Sequence, residues 1–169
     1  NGPKDDAATF AIAQNMRGDI AGMQAVKTDL SLGQSIVNVA IDAGKAIEDL
    51  LIEMKAKTVQ ASQTGLDTDS YTALNQEFTS LRAQIEAIVA TAEFNGNNLI
   101  NSAATNMDIL STVDGSTITV TKQSIDATTL AIHTAALTDA TVAATALTAI
   151  SKAIVSVSNA LAALGSSAK

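Results

Sequence analysis

The chain has 169 residues, 47 % hydrophobic and 16 % charged, and its ten basic against seventeen acidic side chains leave a net charge of -7. That length supports one domain with its own core, while the charge disfavours the phosphates of nucleic acids and anionic lipid surfaces. The absence of cysteine and the single histidine, His133, remove thiol catalysis, disulfides, Cys-based zinc sites and clusters of imidazole ligands.

The longest uncharged runs are broken by Thr, Ser and Asn, so no membrane span is expected. Only Phe10, Tyr71, Phe78 and Phe94 are aromatic, which leaves the core to Leu, Ile, Val, Met and many Ala, residues that suit close packing between helices.

The first element is predicted from Ala7 to about Ser62, a stretch without proline in which Val26, Leu30, Val37, Ala40, Ile47, Leu51 and Met54 recur at helical spacing. Pro3 followed by Lys4, Asp5 and Asp6 suits its start, because proline fixes φ and carboxylates favour the positive end of the helix dipole. At 1.5 Å per residue such a helix spans roughly 84 Å, about twice the diameter of a compact globule of this size, so a rod is expected. Gly18, Gly22, Gly33 and Gly44 read as points of close packing or soft kinks, with Gly33 the candidate break.

Gly65 then ends the helix and Asp67 or Asp69 offers the next N-cap, so the chain reverses. The second helix carries Leu74, Phe78, Leu81, Ile85, Ile88 and Ala92 in a 4-3-4-3-4 ladder that would lie antiparallel to the first and end near Glu93. Beyond Phe94-Asn95-Gly96, residues 101–169 carry only Asp108, Asp114, Lys122, Asp126, Asp139, Lys152 and Lys169 as charges. Alternation over Met107–Val113 and Thr117–Thr121 around Asp114-Gly115 predicts a β-hairpin at about 106–122 with a two-residue turn. Leu147, Ile150, Ile154, Val157, Leu161 and Leu164 predict a third helix, with Thr138 as its cap. The fold class is therefore mainly α: an elongated antiparallel three-helix bundle, one rod-like domain over residues 1–169, with one small β-hairpin.

No constellation for catalysis is found, and neither a cofactor nor a metal is implied. His133 has no partner at motif spacing and reads as an ordinary surface or bundle histidine. Asp67-Thr68-Asp69 opens like a calcium loop, but Thr72 stands at the sixth position and Phe78 at the twelfth, so it reads as a helix cap. Glu48, Asp49 and Glu53 with Lys45, Lys55 and Lys57 read as a solvated helix face or a partner contact. The chain opens on Asn1 instead of Met and the last ladder runs to its end, which reads as a piece of a longer polypeptide.

The residues Asn1-Gly2-Pro3-Lys4-Asp5-Asp6-Ala7-Ala8, then Ala11-Ile12-Ala13, Val59-Gln60-Ala61, Phe94-Asn95-Gly96 with Leu99, and the Ala/Ser/Leu helix from Leu147 to Gly165 resemble bacterial flagellin. The likeness is to its inner rod, and the wording Gly-Pro-Lys-Asp-Asp-Ala-Ala-Thr-Phe-Ala-Ile-Ala is similar to flagellins of alphaproteobacteria. The resemblance implies a structural subunit of the flagellar filament, without both terminal filament-core helices. It also implies secretion through the flagellar export machinery and extracellular assembly with other flagellin subunits under a cap protein. A hook-filament junction protein resembles flagellin in the same region, and a non-catalytic helical signalling or adaptor bundle would share the Ala-rich ladders; the Asp114-Gly115 hairpin argues against the latter.

The resemblance also implies a candidate partner-contact face at Leu51, Glu53, Lys55, Ala56, Lys57 and Gln60. In many flagellins this segment resembles Leu-x-Arg-x-Arg-Glu-Leu-Ala-x-Gln and is read by the vertebrate flagellin receptor. Set on Val59-Gln60, the chain has Glu53 at the first arginine, Lys55 at the second, Ala56 at the glutamate and Lys57 at the leucine. Reversed and missing charges oppose a complementary surface, so weak or absent recognition is expected.

Overall fold

The computed structural model describes the backbone of residues 3–168 and the side chains of residues 6–168. The Asn1-Gly2 opening and the Lys4 and Asp5 side chains expected to favour the helix start lie outside the described side chains. Helix α1 runs from Pro3 to Ala61, 59 residues, about 88 Å at 1.5 Å per residue. It continues unbroken through Gly33, because that glycine is a point of approach: a Cβ there would lie 2.2 Å from Ile109 Cδ1. From Gly33 the buried seam passes through Val37, Ala40, Gly44, Ile47, Leu51, Met54, Thr58 and Ala61, the alternating steps of four and three that keep one stripe facing neighbours. Thr58 is tolerated there because its hydroxyl donates to the Met54 carbonyl at 2.7 Å.

Helix α2, Thr68–Thr91, is capped by Asp67, whose carboxylate accepts from Ser70 N–H at 2.7 Å. Hydrogen bonding to Ser70 holds this carboxyl below its ordinary range. Its contribution to stability is present above the ordinary aspartate pKa and is lost as the pH falls through the lower, folded value. Phe78, Leu81, Ile85 and Val89 are buried; Val89 replaces the expected Ile88, which is only partly buried against the core. Helix α3, Ala140–Ser167, is capped by Asp139, which accepts from Val142 N–H at 2.8 Å, not by Thr138. Its seam is Ala143, Ala146, Ile150, Ala153, Val157, Ala160 and Leu164, so Leu147, Ile154 and Leu161 of the expected ladder lie on the flank, partly buried. Alanine at alternate seam positions lets α3 approach α1 closely. A Cβ on Gly44 would meet Leu161 Cδ2 at 2.7 Å, and Ser158 Oγ donates to Glu48 Oε1, so the two helices run antiparallel.

The segment between α2 and α3 holds two short strands, β1 (Met107–Leu110) and β2 (Thr117–Val120), paired antiparallel with Leu110 opposite Thr117. The expected two-residue turn is instead a loop over residues 111–116. The Asp114 carboxylate accepts from the Thr112 hydroxyl and from Ser116, and Ser111 N–H donates to the Ser116 carbonyl at 2.8 Å. The loop is thus closed by its own side chains, and Gly115 alone within it has positive φ, +94°, whereas a two-residue type I′ turn needs two such residues. That tight turn occurs at Asn95-Gly96, with φ of 51° and 77°, between reciprocal Phe94–Asn97 hydrogen bonds of 3.1 and 3.0 Å.

After β2 the segment is coil tied to α2. Leu137 N–H donates to Asn75 Oδ1 at 2.8 Å, Ala127 N–H to Glu86 Oε1 at 2.7 Å, and Arg82 donates to the carbonyls of Ala135 and Ile132 at 2.7 and 3.2 Å. Gly115→Val should disorder the hairpin tip and leave helicity unchanged, because positive φ is costly for a β-branched residue and nothing lies within 4 Å of that Cα's missing side chain. Far-UV circular dichroism together with backbone amide shifts of residues 111–116 checks this; a global loss of helix would contradict it.

Between Asp6 and Ala25 no residue of α1 is buried, and Phe10, Ile12, Met16, Ile20 and Met23 are exposed. Helix α3 is more apolar than the sequence reading allowed for. Its most apolar 18 residues have mean hydropathy 1.6, enough by length and composition to cross a bilayer, because its interruptions are uncharged Thr and Ser and its one charge is Lys152.

Candidate functional site

The expected contact residues all lie on the last third of α1, where its seam meets both α2 and α3. Leu51 is wholly buried in the core, so it belongs to the interior and not to a face. Glu53, Ala56 and Gln60 are exposed and Lys57 is half-buried. Their spacing of three, four and seven puts these four side chains on one side of the helix. Lys55 is exposed as well, but two positions from Glu53 is a rotation of about 200°, so it faces away from them. The six residues therefore divide into a four-residue face, one buried leucine and one lysine on another side.

The face continues onto α2, which the linear segment gave no means of seeing. Gln76, Glu77, Ser80 and Gln84 line a shallow groove together with Glu53 and Lys57. Lys57 Nζ pairs with Glu77 Oε2 at 2.5 Å across the groove. The only sequence signal for this partner was the run of exposed polar positions opposite the Phe78–Leu81–Ile85 ladder, and it does not say which acid meets which base. Of the other charges singled out, Lys45 pairs with Asp42 at 3.6 Å and Glu48 binds Ser158. His133 is exposed, and among the described residues no group of three or more His, Cys, Asp or Glu could hold a metal ion.

The Glu77 hydrogen bond, with its charge, raises the Lys57 pKa above the ordinary lysine value. A raised folded pKa means that the contribution is fully present below the ordinary lysine value and is lost as the pH rises through the folded one. Unfolding midpoints of the parent and Glu77→Gln should therefore converge above the ordinary lysine range; a constant difference across that range would show that the pair carries no such linkage.

The arrangement offers a shallow polar surface, crossed by the Lys57–Glu77 ion pair, on the side of the rod. A sequence profile described as the bacterial flagellin N-terminal helical region matches residues 1–105. Flagellin FljK of Caulobacter vibrioides is 43 % identical over 122 residues, 72 % of this chain and 45 % of the relative. Flagellin C of Rhizobium meliloti is 35 % identical over 100 residues, 59 % of this chain and 30 % of that protein. The chain thus spans less than half the length of these relatives. The crystal structure of Bacillus cereus flagellin superimposes with a TM-score of 0.74 over 82 % of this chain and 81 % of that one, at 24 % identity, a likeness of fold. With its long first helix, its antiparallel partners and the profile match over more than half its length, the chain belongs to the bacterial flagellin family.

Proposed function

We propose that this chain is part of a structural subunit of the bacterial flagellar filament, secreted through the flagellar export machinery and assembled outside the cell with other copies under a cap protein. The observation that carries the reading is the family match over residues 1–105. It is supported by a rod whose outer surfaces carry apolar side chains at Ile52, Val59 and Val155. Such surface suits packing against identical neighbours. Electron microscopy of a flagellin-null strain expressing the full-length gene tests it: filaments are expected, and secreted subunits that never polymerise would overturn it.

The face at Glu53, Ala56, Lys57 and Gln60 is read as a surface that the vertebrate flagellin receptor engages weakly or not at all. Glu53 presents a carboxylate where the receptor-read pattern has a cation, and Lys57 is committed to Glu77. A complementary receptor surface would meet a like or unpaired charge. A cell reporter assay compares full-length protein with the variant carrying Glu53→Arg, Ala56→Glu and Lys57→Leu together. Gain of activation in the variant is expected, and potent activation by the unmodified protein would overturn the reading.

A further inference from the structure

We propose that the cleft where α2 meets the coil on both sides of the hairpin, at Glu86, Asn101 and Asp126, is a binding site for a hard divalent cation, calcium in preference to magnesium. Backbone pairing brings the three residues together. Ile125 N–H donates to the Ile100 carbonyl at 2.9 Å and Ser124 Oγ to the Asn101 carbonyl at 2.9 Å, which lays residues 124–126 beside residues 100–101. The next residue, Ala127, donates its N–H to Glu86 Oε1 at 2.7 Å and so joins both segments to α2. Glu86, Asn101 and Asp126 line one open cleft together with the hydroxyl-bearing Ser102 and Thr128.

Two features of this cleft call for a cation. Asp126 is 6 % exposed, and a carboxylate so buried is costly unless a charge offsets it. Neither ion pair among the described residues involves it or Glu86. Its partners are neutral: Thr129 Oγ1 donates to Oδ1 at 2.6 Å and Thr129 N–H to Oδ2 at 3.2 Å, which leaves about half of the carboxylate's acceptor positions open. Arg82, one turn before Glu86 on α2, is committed to the Ile132 and Ala135 carbonyls. The second feature is Asn101 Oδ1, which is buried and accepts no hydrogen bond, the only side-chain atom in that position among the described residues. A buried acceptor without a donor is destabilising, and a cation beside it satisfies the amide oxygen and both carboxylates at once.

The donor set selects the ion. Carboxylate, amide and hydroxyl oxygens with no nitrogen or sulfur ligand suit hard cations. They come from one helix and two coil segments, an irregular arrangement that fits calcium, with roughly six to eight ligands in tolerant geometry, better than magnesium, which demands a regular octahedron. Water completes the shell from the open side of the cleft. With two charged ligands a dissociation constant of about 0.1–1 mM is expected, the range of weak extracellular calcium modules.

Equilibrium dialysis of the chelator-treated full-length subunit against calcium chloride should show saturable binding in that range, with magnesium chloride at least about tenfold weaker. Glu86→Gln keeps the acceptor for Ala127 N–H and removes the charge, so it should weaken calcium binding by about tenfold or more. Asp49→Asn, at an exposed acid of α1, should leave the affinity unchanged. Asn101→Asp turns the orphan oxygen into a third carboxylate and should tighten binding by about tenfold, a gain that a loss of folding cannot mimic. A chain of net charge -7 attracts cations diffusely, and equal losses in Glu86→Gln and Asp49→Asn would reduce the binding to that attraction and overturn the proposal. So would the absence of saturable calcium binding up to about 10 mM, an unchanged affinity in Asn101→Asp, or magnesium bound as tightly as calcium.

Discussion

Phe78→Ala should lower the stability of the chain by about 3–5 kcal/mol, the range for deleting a large buried aromatic side chain. Phe78 is wholly buried and heads the large core side chains, in company with Ile47, Leu51, Met54 and Ile85. Its loss opens a cavity where α2 meets α1, and those neighbours are fixed by helix backbones that cannot collapse into it. The ring also lies 5.9 Å beneath the Arg82 guanidinium, the group that holds the carbonyls of Ile132 and Ala135. The mutation therefore loosens the coil before α3 along with the helix pair. Urea unfolding followed by far-UV circular dichroism measures the loss, and a change below about 1 kcal/mol would mean that Phe78 is not a core residue. The same experiment distinguishes two isoleucines that sequence periodicity treats as equals. Ile150, wholly buried, should cost about 2–5 kcal/mol as alanine, and Ile154, on the flank of α3, clearly less.

That pair shows what was legible in the sequence. The three helices, their order and the ladder through Val37, Ala40, Ile47, Leu51 and Met54 follow from spacing alone, because a long amphipathic helix repeats its signal many times. The seam of α3 was harder. Alanine is ambiguous, apolar but small, and a pattern that rewards large side chains settles on Leu147, Ile154 and Leu161. The bundle instead turns Ala146, Ala153 and Ala160 inward, where small residues permit close approach. The reversal after β1 falls at Asp114-Gly115 as expected but spans six residues instead of two, because the loop is closed by the side chains of Thr112, Asp114 and Ser116, a capping that the dipeptide does not encode.

The candidate face divided for a related reason. A linear segment such as Leu51–Gln60 winds almost three times around the helix, so its residues point inward at Leu51, toward the groove with α2 at Glu53 and Lys57, and away from it at Lys55. The partner of Lys57 is Glu77, in the following helix, and Asn75, Arg82 and Glu86 hold backbone in the 127–137 coil. None of these long-range pairings has a local signature. What the sequence does carry is the set of positions at which helices could approach, and the four glycines of α1 test it directly. Gly22, Gly33 and Gly44 each face a side chain from elsewhere in the fold, and Gly18 faces open space.

Gly33→Leu should detach the hairpin while leaving the three helices folded. Two four-residue strands are at most marginally stable by themselves, so β1 and β2 depend on α1. They rest on it through Ile109 over Gly33, through Val113 over Gly22, and through Leu110 N–H, which donates to Asp29 Oδ2 at 2.6 Å. A Cβ at Gly33 would clash with Ile109 Cδ1 and stand 2.8 Å from its Cγ1, so the Ile109 side chain must leave its seat, and a whole leucine there takes the space through which β1 rests on α1. Overpacking of this kind costs about 1–3 kcal/mol, while leucine gains up to about 1 kcal/mol over glycine in a helix. The helix itself is thus favoured and the loss is concentrated in the hairpin. Amide exchange should accelerate at Leu110, whose acceptor belongs to α1, and in the β1–β2 ladder, with protection in the 37–61 stretch of α1 unchanged. Gly18→Leu has the same helix propensity gain without a neighbour to strike, so it should leave hairpin exchange at the parent rate. If both variants left the hairpin protected, Ile109 would not be what seats it on α1; if Gly33→Leu melted α1 instead, the helix at that point would depend on the glycine and not on its packing.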